Sequence, residues 1–166
     1  MEPALLPFPR LAIALTAAAL IACGANLPAF AAGPFETLSG SWSGTGTVHP
    51  QGGSAERVRC NATYRPEGGS GLSVKLRCAS DSYNFDLSGQ ITTDGSSLSG
   101  RWTENAHGIG GTVGGTLRGD HMQVHIDSSG FSADLGITTR GKRQDVSMDS
   151  HGGGEAVKGS IGMSRR

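Results

Sequence analysis

The 166-residue sequence has no surplus of charge: 14 acidic residues stand against 14 basic ones. Overall charge therefore gives no argument for nucleic acid or an anionic membrane surface as a partner. Aromatic residues are few, with two Trp, two Tyr and five Phe, and none accompanies the basic residues as a base-stacking surface would require. Cysteine is scarce, three in all and none in a Cys-x-x-Cys pair, which removes the usual redox motif. Gly-x-Ser-x-Gly, Gly-x-x-x-x-Gly-Lys-Ser/Thr and His-Glu-x-x-His are all absent, so no nucleophile elbow, phosphate loop or zinc helix is recognisable. Beyond residue 22 no apolar run approaches the roughly twenty residues of a membrane-spanning helix. On these absences the chain reads as no enzyme, with no cofactor and no metal.

What is present begins with a leader-like segment. Arg10 precedes an apolar run from Leu11 to Ala22, suited to a signal-peptide core and too short to span a bilayer. Ala29-Phe30-Ala31 supplies a small-x-small cleavage pattern. This gives 1–31 as a signal peptide and 32–166 as a single β-barrel domain, periplasmic or secreted and bacterial in its export signal. Leu20-Ile21-Ala22-Cys23-Gly24 offers a second reading, a lipobox through which acylated Cys23 anchors the chain. Setting Cys23 aside leaves Cys60 and Cys78, an even pair in a chain bound for an oxidising compartment. Folding the chain about Gly69 sets Cys60 opposite Cys78 and Ala62 opposite Leu76, so a disulfide is expected as a hairpin staple.

The remainder alternates with a period of two, the mark of half-buried strands. Trp42, Gly44, Gly46 and Val48 share a face, as do Val58, Cys60, Ala62 and Tyr64. Tyr83, Phe85 and Leu87 form a later inward series, followed by Leu98, Gly100 and Trp102, then by Ile109, Val113 and Leu117. A final hairpin sets Val146 and Met148 against Val157, Ile161 and Met163 across His151-Gly152-Gly153-Gly154. The 27 glycines fall at turns such as Asp94-Gly95 and inside strands, without a collagen period. The fold class is thus all-β, an antiparallel up-and-down barrel of about 8–10 short strands with one disulfide. Closure removes sheet edges, and the short connections disfavour a Greek-key sandwich. Leu38-Ser39-Gly40-Ser41-Trp42 recurs as Leu98-Ser99-Gly100-Arg101-Trp102, which suits either two similar halves or a repeated solution to strand starts.

If such a barrel holds a cavity, Trp42, Tyr64, Tyr83 and Trp102 are its apolar contacts. Inward glycines 44, 46, 111 and 115 either leave room for a ligand or permit tight strand coiling. Glu56 is in phase with Val58, and Glu104 with Trp102; both carboxylates face a barrel mouth or simply reach water at a strand end. A cluster of Glu56, Glu104 and His107 around one cavity is what a hydrolase or isomerase would need. His121 and His125 share a strand face but lie about 13 Å apart at roughly 3.3 Å rise per residue, too far to share a metal. Arg57, Arg59, Arg65, Lys75 and Arg77 form an outward stripe, suited to anionic polysaccharide, lipopolysaccharide or an acidic partner, or else to solvation alone.

The Leu-Ser-Gly-Ser-Trp stretch at 38–42 resembles the Gly-x-Trp motif in the first strand of calycin-type barrels, which include lipocalins, avidins and small bacterial inhibitors of secreted metalloproteases. A longer stretch resembles a group of small secreted bacterial β-barrel proteins of unassigned activity. It runs from Gly33-Pro34-Phe35-Glu36 through Arg57-Val58-Arg59-Cys60 and Cys78-Ala79-Ser80-Asp81-Ser82-Tyr83 to Thr139-Arg140-Gly141. The expected function is that of an exported, noncatalytic binding module for a small or apolar ligand, acting as a monomer. The alternative is a protein-interaction module, such as an inhibitor of an envelope or secreted enzyme, binding through a loop or through Gly33 to Thr37. Neither reading includes a nucleic-acid partner or a transmembrane segment.

Overall fold

The structure, a computed structural model, describes residues 32–152 and 156–166. The leader, its cleavage site and Cys23 lie outside the described residues, as do Gly153 and Gly154 of the last turn. Ten antiparallel strands follow one another around a closed barrel, each pairing with its neighbours in sequence. They are β1 (Gly40–Pro50), β2 (Glu56–Glu67), β3 (Gly71–Ala79), β4 (Asn84–Asp94) and β5 (Ser97–Glu104). These are followed by β6 (Ile109–Arg118), β7 (His121–Ser128), β8 (Phe131–Arg140), β9 (Arg143–Gly152) and β10 (Val157–Arg165). β1 meets β10 from Trp42–Arg165 to Pro50–Val157 and closes the ring. This is the meander that strict alternation and short connections imply, and closure leaves no unpaired edge.

Register follows from the alternation. Val58, Cys60, Ala62 and Tyr64 are buried while Arg57, Arg59, Asn61 and Arg65 are exposed. Cys60 pairs with Cys78 and Ala62 with Leu76, and the two cysteines form the disulfide. The two-residue β4–β5 turn starts at Gly95 with φ +58°, in the left-handed region that such hairpins demand and glycine reaches without strain.

The two rims differ. At the tight rim, β4–β5, β6–β7 and β8–β9 are joined by two residues each. The other rim carries longer segments, including 51–55 after β1, 80–83 after β3 and 105–108 after β5. A 3-10 helix (Glu36–Leu38) precedes β1 and floors the tight rim. Phe35, Leu38 and Trp42 are buried there, Trp42 with 1% exposure. The Trp42 Nε1 donates to the Leu38 carbonyl at 2.8 Å, and the Arg165 guanidinium lies 4.8 Å from the Trp42 ring centre while donating to the Thr37 carbonyl. Trp42 packs edge-on against Tyr64 at 6.5 Å. The Tyr64 hydroxyl donates to Gln144 Oε1 at 2.9 Å, and Gln144 Nε2 donates to Thr139 Oγ1 at 3.0 Å. The segment Gly33 to Thr37, expected as a partner-binding arm, thus carries in Phe35 part of the barrel's floor.

Two inward placements are corrected, and two readings left open by the sequence are decided. Tyr83 is not inward: it precedes β4 and is 53% exposed. The cause is a local turn in which the Ser80 amide donates to the Tyr83 carbonyl and the Tyr83 amide donates to Ser80 Oγ, holding the residue outside the wall. Ile109, the first residue of β6, is 49% exposed at the rim. The recurring Leu-Ser-Gly-x-Trp does not mark two equivalent halves. Leu38 lies in the 3-10 helix and Trp42 is the third residue of β1, whereas Leu98 and Trp102 are the second and sixth residues of β5. Glycines 44, 46, 111 and 115 do not open ligand space. A Cβ at Gly44 would run into the Gly162 carbonyl, and one at Gly46 into that of Ser160. Gly111 and Gly115 face the Asp127 and Gln123 carbonyls in the same way. They mark close approach of neighbouring backbones as the barrel coils.

Candidate functional site

The inward residues between the floor and the loop rim leave a cavity of about 110 Å³. Every strand from β2 to β10 contributes to its wall, which includes Tyr64, Leu76, Ile91, Trp102, Val113, Val124, Leu135, Val146 and Ile161. The lining is apolar because the inward phase supplies Val, Ile, Leu or Met from most strands, Tyr64 from β2 and Trp102 from β5, with Gly89 as a small position on β4. A void lined by aliphatic and aromatic side chains offers few polar partners to hold water.

Of the four aromatic contacts foreseen, Tyr64 and Trp102 line the cavity. Trp42 is inward but belongs to the floor, and Tyr83 lies outside. Trp102 packs edge-on against Phe131, the first residue of β8, at 6.2 Å near the loop rim. The indole reaches over Gly111, its partner on β6, where an added Cβ would come within 3.0 Å of Nε1. Glycine at 111 therefore makes room for the Trp102 ring. Trp102 is 4% exposed, and its Nε1 has no hydrogen-bond partner among the described residues. A buried donor left unpaired costs about 1–3 kcal/mol.

The carboxylates are engaged at the loop rim and do not line the cavity. Glu104, 4% exposed, accepts from the amides of Asp86, Ala106 and His107, and from His107 Nδ1 at 2.8 Å. Burial acts to raise its pKa, but these four donors outweigh burial and hold the carboxyl at about 2. It is an ionised clamp on the β5–β6 loop, without the raised pKa that suits a general acid. Glu56 accepts from Ser80 Oγ at 2.7 Å and the Ser82 amide at 3.4 Å, which keep its pKa below the usual value. Glu56 therefore fastens the β3–β4 loop, while Glu104 and His107 fasten β5–β6. None of the three lines the cavity.

His121 and His125 face outward; His121 Nδ1 lies 3.0 Å from Thr138 Oγ1, and His125 Nδ1 lies 2.8 Å from Asp134 Oδ1. No group of three or more His, Cys, Asp or Glu side chains suited to a metal occurs among the described residues. Sequence reading missed the floor and the buried Tyr64–Gln144–Thr139 chain. The one available signal was Gln144, polar yet in phase with inward Val146 and Met148.

No family model matches the chain, and no curated protein sequence is similar to it. Solved structures do share its fold. Rv2717c from M. tuberculosis superposes with a TM-score of 0.65 at 13% identity, over 80% of this chain and 94% of that one. The S-type phycobiliprotein lyase CPES from Guillardia theta superposes with a TM-score of 0.62 at 12% identity, over 80% and 90%. A DUF3598-family protein of unknown function from Nostoc punctiforme gives 0.58 at 10% identity, over 78% of this chain and 48% of its own. The reading of the chain as no enzyme is corrected here: the same barrel serves a lyase, so missing motifs do not separate this scaffold from catalysis. At these identities the likeness is one of fold, a ten-strand antiparallel barrel of calycin type.

Proposed function

We propose that the barrel is an exported binding module that takes up a small apolar molecule between Tyr64 and Trp102, entering at the loop rim. The observation that carries this reading is the apolar cavity of about 110 Å³. Protein interiors are close-packed, and a void of that size costs roughly 2–3 kcal/mol in lost packing, an expense a purely structural barrel has no reason to retain. The tight rim is floored by Phe35, Leu38 and Trp42, which favours the loop rim as the mouth. The Cys60–Cys78 disulfide supports an oxidising compartment.

The test uses benzene and indole as probes. A molecule that binds only the folded chain raises its melting temperature, so both probes should raise the midpoint of the wild type. Val113→Phe, or the milder Val113→Leu, fills the void and should abolish that shift while leaving the fold intact. A shift that survives filling places binding elsewhere. No shift with either probe, together with a bare mass for protein isolated gently from its own source, overturns the reading.

A further inference from the structure

The balance of 14 acids and 14 bases conceals a segregation of charge around the barrel. On the outer wall of β1–β3, Arg57, Arg59, Arg65, Lys75 and Arg77 are all exposed. Arg166 adds a sixth cation by donating to Ser43 Oγ at 2.9 Å and Asn61 Oδ1 at 3.0 Å. Arg77 is paired with Asp86 at 2.7 Å, whereas Arg57, Arg59, Arg65 and Lys75 have no acidic partner among the described residues. The outward acid of these strands is Glu67, at the end of β2. Across the barrel, the walls of β7–β9 present Asp127, Asp134, Asp145 and Asp149. Three of those aspartates are already met from within the chain, Asp127 and Asp134 by His125 at 3.9 and 2.8 Å and Asp149 by Lys158 at 2.9 Å.

The register gives the basic wall a second property. Each unpaired cation stands directly opposite a hydroxyl on a neighbouring strand: Arg57 by Thr47, Arg59 by Thr45, Arg65 by Ser73 and Lys75 by Thr63. Directly opposed side chains in an antiparallel pair lie about 5 Å apart, so charge and hydroxyl reach the same ligand. Aromatic rings are absent from this outer face, which removes base stacking, and no large apolar residue projects from it to enter a lipid surface.

We propose that the outer wall of β1–β3 binds an anionic polysaccharide, with the four unpaired cations meeting sulfate or carboxylate groups and the paired hydroxyls meeting sugar hydroxyls. This surface is separate from the cavity and stands whether or not the cavity binds a ligand. A second copy of the chain offering its aspartate wall is the competing occupant. It is disfavoured because part of that wall is satisfied internally, whereas four of the cations are not.

Heparin is the probe, with neutral dextran as its uncharged counterpart. The full-length protein should bind heparin at low salt, lose affinity steadily as salt rises, and ignore dextran. Neutralising Arg59, Arg65 and Lys75 to Gln should weaken heparin binding roughly tenfold or more, since three charged contacts are lost together. The same charge change made at Arg101, Arg118 and Lys142 should leave binding within about twofold. These positions are exposed, so folding is preserved, and Arg59→Gln alone serves if the triple variant misbehaves. Equal weakening by both triples overturns the proposal in favour of undirected charge attraction. Absence of heparin binding overturns it outright, as does salt-sensitive self-association abolished by the first triple without heparin binding. Binding to anionic lipid vesicles but not to heparin also overturns it.

Discussion

At Glu104 two opposing effects meet. Burial raises the carboxyl's pKa, while three amides and the His107 ring lower it, and the outcome, about 2, lies below the usual 4.5. A carboxyl with a depressed native pKa contributes its full stability above 4.5 and loses it as pH falls through about 2. Wild-type urea midpoints should therefore drop between those values, and Glu104→Gln should show a shallower fall, with Glu56 and Asp86, also lowered, supplying the remainder. An equally steep acid transition in the variant would show that Glu104 carries none of it. Tyr64 works with the opposite sign. Burial pushes its hydroxyl from 10.0 up to about 12, so the stability it contributes is complete below pH 10 and lost as pH rises through 12. Tyr64→Phe leaves Gln144 Oε1 without its donor and should start about 1–3 kcal/mol less stable, yet lose less between pH 10 and 12 in alkaline unfolding. Neither role was legible in the sequence. Phase placed both residues inward, but which donors meet Glu104 and how deeply Tyr64 is buried depend on loops and strands remote in the chain.

Single strands and hairpins were the most legible level. The Cys60–Cys78 register follows from symmetry about Gly69 and from matching inward phases, both local properties. Phase fails where a strand stops: Tyr83 has the parity of Phe85 and Leu87, yet the Ser80–Tyr83 turn takes it out of the wall. Inward glycines were ambiguous for a related reason, since an absent side chain signals either space or contact until the neighbouring strand is placed. The structure separates the two cases. Gly44→Ala drives a methyl into the Gly162 carbonyl and the Met163 backbone, and should destabilise by roughly 1–3 kcal/mol or more. Gly89→Ala meets nothing closer than 3.7 Å and should be neutral or stabilise by roughly 0.4–1 kcal/mol through the unfolded state. Thermal midpoints of the two variants check this; similar losses would mean that backbone approach at Gly44 is not limiting.

Across the whole molecule, closure was legible because ten short strands with no long crossover have few ways to hide two edges. The floor of Phe35, Leu38 and Trp42 and the choice of mouth were not, since both depend on what crosses the barrel axis. Closure has a further, mechanical consequence. β1 and β10 are antiparallel, so the start of β1 and the end of β10 lie at the same rim, with Trp42 beside Arg165 and the Arg166 amide bonded to the Ser41 carbonyl. A pulling force between those two ends loads the seam one rung at a time, from Ser41–Arg166 towards Pro50–Val157. Resistance along that line is that of a zipper, set by single hydrogen bonds in succession. The same force applied between opposite rims would have to shear a whole ladder at once.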